Sequence, residues 1–180
     1  MNIPEGTYTV LLTPFLNNGA IDFESLDSYI EYQLSTDVTG FVILGTTSES
    51  ATLSSVEKLE IVKFISNRVL GYKFLICGVG GNNTLETLYF ARECIGLVNG
   101  IMVTVPYYNK PPQRGIAEHF KIIAGDDMIK NTPVMLYTVK SRTGVYLEPE
   151  TTVDVINSCP NVVAIKEADG SIDKVIALAD

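Results

Sequence analysis

Six short apolar runs recur about every 30 residues, and this alternation constrains the fold more than any other feature of the 180-residue chain. They are TYTVLLT (7–13), GFVILG (40–45), KFLICG (73–78), GIMVTV (100–105), PVMLYT (133–138) and NVVAIK (161–166). Each is bounded by Gly, Pro, Asn or other polar residues and β-branched side chains are frequent, as in strands buried on both faces. Helical patterns lie between them. DFESLDSYIEYQL opens on Asp22 as an N-cap, and SSVEKLEIVKFISNRVLG offers Ser54 and Glu57 as a capping box with Gly71 as the stop. TLETLYFARECIGL opens on Thr84, EPETTVDVINSC carries Pro149 near its first helical position, and SIDKVIALAD starts a helix on Ser171. Strand and helix in strict alternation predict an α/β protein with a parallel sheet. Pattern alone does not separate a barrel from an open sheet. Length favours the open sheet, because a (β/α)8 barrel has eight units and typically ~250 residues. No linker or low-complexity tract interrupts the chain, so residues 1–180 read as one domain.

Apolar residues make up 46% of the chain and charged ones 19%, which places it among folded globular proteins. A net charge of −8 argues against nucleic acid or an anionic membrane as partner. No apolar run approaches the ~20 residues of a membrane helix. The start MNIPEGTYTV lacks the basic-then-apolar pattern of a signal peptide. Cys77, Cys94 and Cys159 form no C-x-x-C pair and read as reduced core thiols of a cytoplasmic protein. His119 has no second histidine at metal-ligand spacing, so no zinc site is expected. GVGGNN (78–83) carries Asn83 where a dinucleotide loop needs its third glycine.

In either α/β architecture, function gathers in the loops after the C-terminal ends of the strands. Four such ends are chemically loaded: GTTSES (45–50), PYYNKPP (106–112), LYTVKSRTG (136–144) and the strand ending on Lys166. Lysine is among the residues least often buried. At the end of an apolar strand, desolvation lowers its pKa, and a nearby cation such as Arg142 would lower it further. That makes Lys166 a candidate Schiff-base nucleophile. From this run alone, a lysine that snorkels to the rim or pairs with Glu167 is also open. Thr46 and Thr47 also suit turn residues that satisfy backbone groups, and Tyr107 and Tyr108 suit core aromatics.

Taken together, GTTSESATL, VTVPYYNKPPQRGIAEHF, LYTVKSRTG and VVAIKEADGSI resemble the signature segments of the dihydrodipicolinate synthase (4-hydroxy-tetrahydrodipicolinate synthase) family, in order and spacing, from about Thr7 to Asp180. The resemblance implies a pyruvate-dependent class I aldolase on a (β/α)8 TIM barrel, with about six of its eight β/α units in this chain. It implies that Lys166 forms the Schiff base with pyruvate, that Tyr137 relays protons with Thr47 as a partner, and that Tyr108 is lent across a subunit interface. Thr46 matches the loop that holds the pyruvate carboxylate, and Arg142 the receiver of the carboxylate of aspartate semialdehyde. No metal or organic cofactor is implied, and a homo-oligomer (tetramer or dimer) is. Ser50, Ala51, Asn82, Glu86 and Tyr107 match a lysine feedback site, with Ser55 and Lys58 where feedback-sensitive bacterial members often carry histidines; a cation at 58 opposes a lysine ammonium.

Three departures from the family pattern stand out. Ser48 replaces a usual glycine and is expected to crowd the pyruvate loop. Thr138-Val139-Lys140 stands where the family tends to read Asn-Val-Pro, which is expected to loosen the segment carrying Arg142. The chain also ends near its sixth helix, which leaves the first and sixth strands as edges and predicts that residues 1–180 alone do not form a stable monomeric barrel. The alternatives are another pyruvate aldolase, such as N-acetylneuraminate lyase, and a truncated non-catalytic homologue that binds a metabolite. SRTG and YYNKP favour the synthase.

Overall fold

Every strand pairing described is parallel, and within each of two compact units the strands run in chain order. The computed structural model describes residues 1–179; Asp180, the last residue of the expected domain, lies outside the described residues. One unit comprises residues 3–78 and 93–100, the other residues 1–2, 79–92 and those from 101 onward.

The first unit holds β1 (Tyr8–Val10), α1 (Phe23–Leu34), β2 (Gly40–Ile43), α2 (Ser55–Val69) and β3 (Phe74–Gly78), with 3-10 turns at Thr46–Ser48 and Ser50–Thr52. β2 lies between β1 and β3, with Val10 opposite Val42 and Ile43 opposite Cys77. Its four residues are buried, whereas all three of β1 are half-buried. The expectation of strands buried on both faces therefore fails at β1, whose sole strand partner among the described residues is β2. The helix starts agree with the sequence signals. Asp22 accepts from the Ser25 amide at 3.0 Å, and Ser54 and Glu57 close a capping box. α2 buries Ile61, Val62, Ile65 and Val69, spaced as one helical face, and Gly71 just beyond it takes a φ of +89°. Cys77 and Cys94 are buried free thiols with their sulfurs 3.8 Å apart, and Cys159 is free and buried as well. Burial raises the pKa of Cys77 and Cys159.

The second unit contains α3 (Thr84–Cys94) apart from its last two residues, β4 (Gly100–Thr104) apart from Gly100, α4 (Gln113–Ala124), β5 (Val134–Thr138), the single turn α5 (Lys140–Thr143), α6 (Pro149–Ser158), β6 (Val162–Glu167) and α7 (Ile172–Ala179). Asn83 rather than Thr84 caps α3, its side-chain oxygen accepting from the Leu85 and Glu86 amides at 3.0 and 3.3 Å. α4 has no cap signal in the sequence, yet it buries Ile116, Ala117, Phe120, Ile123 and Ala124 on one face. Packing rather than capping makes this helix. Lys121 of α4 bonds Asp154 of α6 at 2.8 Å.

β5 lies between β4 and β6. The β5–β6 register begins with Val134 opposite Val162, slips by one residue, and resumes with Met135 opposite Ala164. This slip selects the residue that faces Lys166. An unbroken register would set Thr138 opposite the lysine, whereas the bulge sets Tyr137 there. Past Val162, β6 is half-buried along its length, so its apolar run is not the enclosed wall expected from sequence. β5 is its one strand partner among the described residues.

His119 on α4 is 2% exposed, with Nδ1 2.9 Å from the Thr84 hydroxyl. Its Nε2 has no hydrogen-bond partner among the described residues. Burial lowers its pKa from 6.5 to about 4. The folded protein thus holds the ring neutral at a pH where the unfolded chain protonates it. Stability is expected to fall as pH drops from 6.5 towards 4, by at most roughly 3 kcal/mol. Urea unfolding across that range should show the loss, and His119→Gln should flatten it. An unchanged slope in the variant would assign the pH dependence to other groups.

Candidate active site

Lys166 stands near the end of β6, directly opposite Tyr137 in β5. Parallel neighbours in register point their side chains to the same face. The lysine Nζ accordingly lies 4.3 Å from the centre of the Tyr137 ring. Tyr137 is buried and Lys166 half-buried. Desolvation lowers the Lys166 pKa below its ordinary 10.5. The cation–π contact favours the ammonium and opposes that shift, but burial wins. Arg142 adds nothing to the lowering, contrary to the sequence expectation; it is an exposed residue on α5.

The alternative partner for Lys166 is also excluded. Both oxygens of Glu167 are occupied elsewhere: Oε2 accepts from the Tyr146 hydroxyl at 2.9 Å and Oε1 from the Asp169 amide at 2.6 Å. Successive residues of a strand face opposite sides, so Glu167 turns away as Lys166 turns towards Tyr137. A half-buried amine with a lowered pKa beside a tyrosine is suited to attack a carbonyl.

Arg142 sits in the turn after β5, between the buried Thr143 and the left-handed Gly144 (φ +74°) on one side and Lys140 on the other. Looseness is expected here from the absence of a proline at 140, but the structure supplies tethers. The Lys140 amide donates to Asp169 Oδ1, and the Thr143 hydroxyl donates to the Val145 carbonyl at 2.7 Å. Asp169 and Tyr146 are the residues that sequence reasoning missed at this site. The one visible signal for Asp169 is the second carboxylate in KEAD.

Tyr108 is 84% exposed and holds a φ of +74°, a conformation that side chains other than Gly rarely adopt. Tyr107 is half-buried and lines a cleft of about 280 Å³ with Asn82, Thr84, Pro106 and His119. Asn82 Nδ2 donates to the Tyr107 carbonyl at 3.5 Å, so two of the residues matched to a feedback site meet here, and Glu86 is exposed on α3 nearby in sequence.

The remaining expected residues belong to the other unit. Thr46 and Thr47 are exposed on the 3-10 turn after β2, with Ser50 and Ala51 on the next turn. Leu44 and Glu49, on either side of the threonines, both have positive φ, which marks a constrained loop. Ser48 is 2% exposed; its hydroxyl donates to the Leu11 carbonyl at 2.6 Å, and its own carbonyl accepts from Thr13 at 2.8 Å. Ser48 thereby ties the loop to the residue after β1.

Comparison with known proteins gives a consistent result. The model of the Dihydrodipicolinate synthetase family matches residues 4–180. A 4-hydroxy-tetrahydrodipicolinate synthase of Bdellovibrio bacteriovorus is 49% identical over 171 residues, covering 94% of this chain and 56% of that protein. The structure of the 4-hydroxy-tetrahydrodipicolinate synthase from Methylacidiphilum fumariolicum SolV superposes with a TM-score of 0.93 at 36% identity, over 98% of this chain and 58% of that one. The chloride-inhibited dihydrodipicolinate synthase from Acinetobacter baumannii, complexed with pyruvate, gives 0.92 at 34% identity, over 97% of this chain and 59% of that one. The chain thus spans less than two thirds of the length of these relatives.

Proposed function

The chain belongs to the dihydrodipicolinate synthetase family and carries six β/α units of that family's (β/α)8 barrel fold, and from that premise we propose that it serves the condensation of pyruvate with aspartate semialdehyde to 4-hydroxy-tetrahydrodipicolinate, in the biosynthesis of diaminopimelate and lysine. The likeness to barrels overrides the open sheet that length favours. In this reading residues 1–180 are part of one barrel domain. The observation that carries the reading is Lys166 with its Nζ 4.3 Å from the Tyr137 ring, where burial lowers the lysine pKa.

In this reading the neutral Lys166 amine attacks the pyruvate ketone, and the carbinolamine loses water to give an iminium. The iminium draws electrons from the adjacent methyl group, which loses a proton and becomes the nucleophilic carbon of an enamine. That carbon adds to the aldehyde of the second substrate. The substrate's amine then displaces Lys166 and closes the ring. A tyrosine hydroxyl moves protons in both directions without bringing a net charge into the site, which is the role assigned to Tyr137. The roles of Thr46 and Thr47 in holding pyruvate and assisting the relay rest on the resemblance of GTTSESATL. The exposure and positive φ of Tyr108 support its use by a second copy of the chain, in a homo-oligomer. Negative net charge and unpaired buried thiols fit a cytoplasmic enzyme of small metabolites. Among the described residues no helix is long and apolar enough to cross a membrane.

Turnover of pyruvate with aspartate semialdehyde, compared with a panel of sugar acids, tests the substrate pair. Preference for a sugar acid would transfer the chain to another aldolase class. Within the synthase reading, Arg142→Ala is expected to raise KM for aspartate semialdehyde tenfold or more, because a charge-assisted contact to a carboxylate is worth about 1.5–3 kcal/mol. Adduct formation with pyruvate should survive. An unchanged KM would give the carboxylate to another cation, with Lys140 the first candidate.

A further inference from the structure

An arginine on an exposed single-turn helix recognises a carboxylate well only if the helix is held still, since mobility is lost again on binding. The turn carrying Arg142 begins on Lys140, a position where a proline would hold the backbone without help from a partner. Proline at the first helical residue sets φ and has no amide hydrogen to satisfy. Lysine sets nothing and leaves an orphan N–H.

The structure meets both deficits with one side chain. The Lys140 N–H donates to Asp169 Oδ1, from the segment just after Lys166. Asp169 is itself held: its carboxylate is 7% exposed, its amide donates to Glu167 Oε1 at 2.6 Å, and Lys174 Nζ lies 3.8 Å from its Oδ2. The far end of the same segment is anchored next door. Tyr146 donates to Glu167 Oε2 at 2.9 Å, and Lys174 Nζ sits 3.2 Å from the centre of the Tyr146 ring. Two carboxylates immediately beyond Lys166 thus clamp both ends of residues 140–146. Val139, ahead of the turn, has φ −154° and ψ 73°, away from the helical region that a following proline disfavours, so position 140 would accept a proline.

We propose that Asp169 is the positioning residue for Arg142, doing by a hydrogen bond to the Lys140 amide what a proline at 140 does by its ring. Recognition of the second substrate depends on this tether, and Schiff-base formation at Lys166 does not. The inference rests on the reading of Arg142 as the receiver of the aldehyde's carboxylate.

The test compares Asp169→Ala, Asp169→Asn, Lys140→Pro and the double variant Asp169→Ala/Lys140→Pro in the full chain. Three quantities are read: amide exchange of residues 139–144 by mass spectrometry, KM for aspartate semialdehyde, and borohydride trapping with pyruvate. Asp169→Ala should speed exchange and raise KM, each by about tenfold, with trapping near wild type. Asp169→Asn, whose amide oxygen still accepts, should retain most of the wild-type values. Lys140→Pro should restore the Asp169→Ala variant, an outcome that a general loss of stability cannot produce. Unchanged exchange in a cooperatively folded Asp169→Ala, or a double variant no better than the single one, would overturn the proposal. A wild-type chain that traps pyruvate but never uses aspartate semialdehyde would sink the Arg142 reading instead, and exchange would still decide the tether.

Discussion

Lys166→Ala is expected to lower turnover on the order of 10⁴-fold or more and to abolish the trapped pyruvate adduct, because no iminium forms without the amine. The protein should still fold. Lys166 is half-buried near the end of β6, and burial disfavours its charged form, so its removal deletes little native stabilisation. The wild-type enzyme should also reveal the lysine through pH. Only the neutral amine attacks, and a lowered pKa means that half of it is neutral at a pH below the ordinary 10.5. The rate of adduct formation should therefore rise with pH and level off through a midpoint below that value. Rapid-quench trapping across pH measures it. A midpoint at or above 10.5 would mean that the ring of Tyr137 outweighs burial.

Tyr137→Phe should reduce kcat by roughly 10²–10⁴-fold, the usual span for a lost general acid–base group. The phenylalanine ring fills the same space and keeps its face towards the Lys166 ammonium 4.3 Å away, so the loss isolates the hydroxyl. Trapping on Lys166 should slow but remain on Lys166, and KM for aspartate semialdehyde should move little. Circular dichroism and a cooperative melt control for misfolding at this position, which is 4% exposed. A variant with near-normal kcat would assign the proton transfers to another residue or to water.

Much of this arrangement is legible in the chain itself, and the parts that are not share a physical cause. Apolar runs bounded by Gly and Pro mark all six strands because burial and turn chemistry are local, and Ser54 with Glu57 announces α2 because a capping box is local too. α4 escapes because its signature is a buried face, Ile116 to Ala124, with no cap to announce it. The half-exposure of β1 and β6 depends on what lies beside them, which a run of apolar residues does not encode. Barrel and open sheet share one strand–helix pattern, so the choice rests on likeness to whole folds. At the site, Lys166 stands out as a charge at the end of an apolar strand. Its alignment with Tyr137 depends on the register slip after Val134, a property of the pair of strands. Asp169 is the least legible of these residues, since its partner is a backbone amide 29 residues away. The lysine at 140 is legible as a departure, but the hydrogen bond that compensates for it is not.

A pyruvate Schiff base on Lys166 leaves a covalent record that chemistry can read. The folded chain is incubated with pyruvate, reduced with borohydride, digested and mapped by mass spectrometry. One reduced adduct is expected, on the peptide containing Lys166, and none in Lys166→Ala. An unmodified Lys166 in demonstrably folded protein, or an adduct on a different lysine, would contradict it.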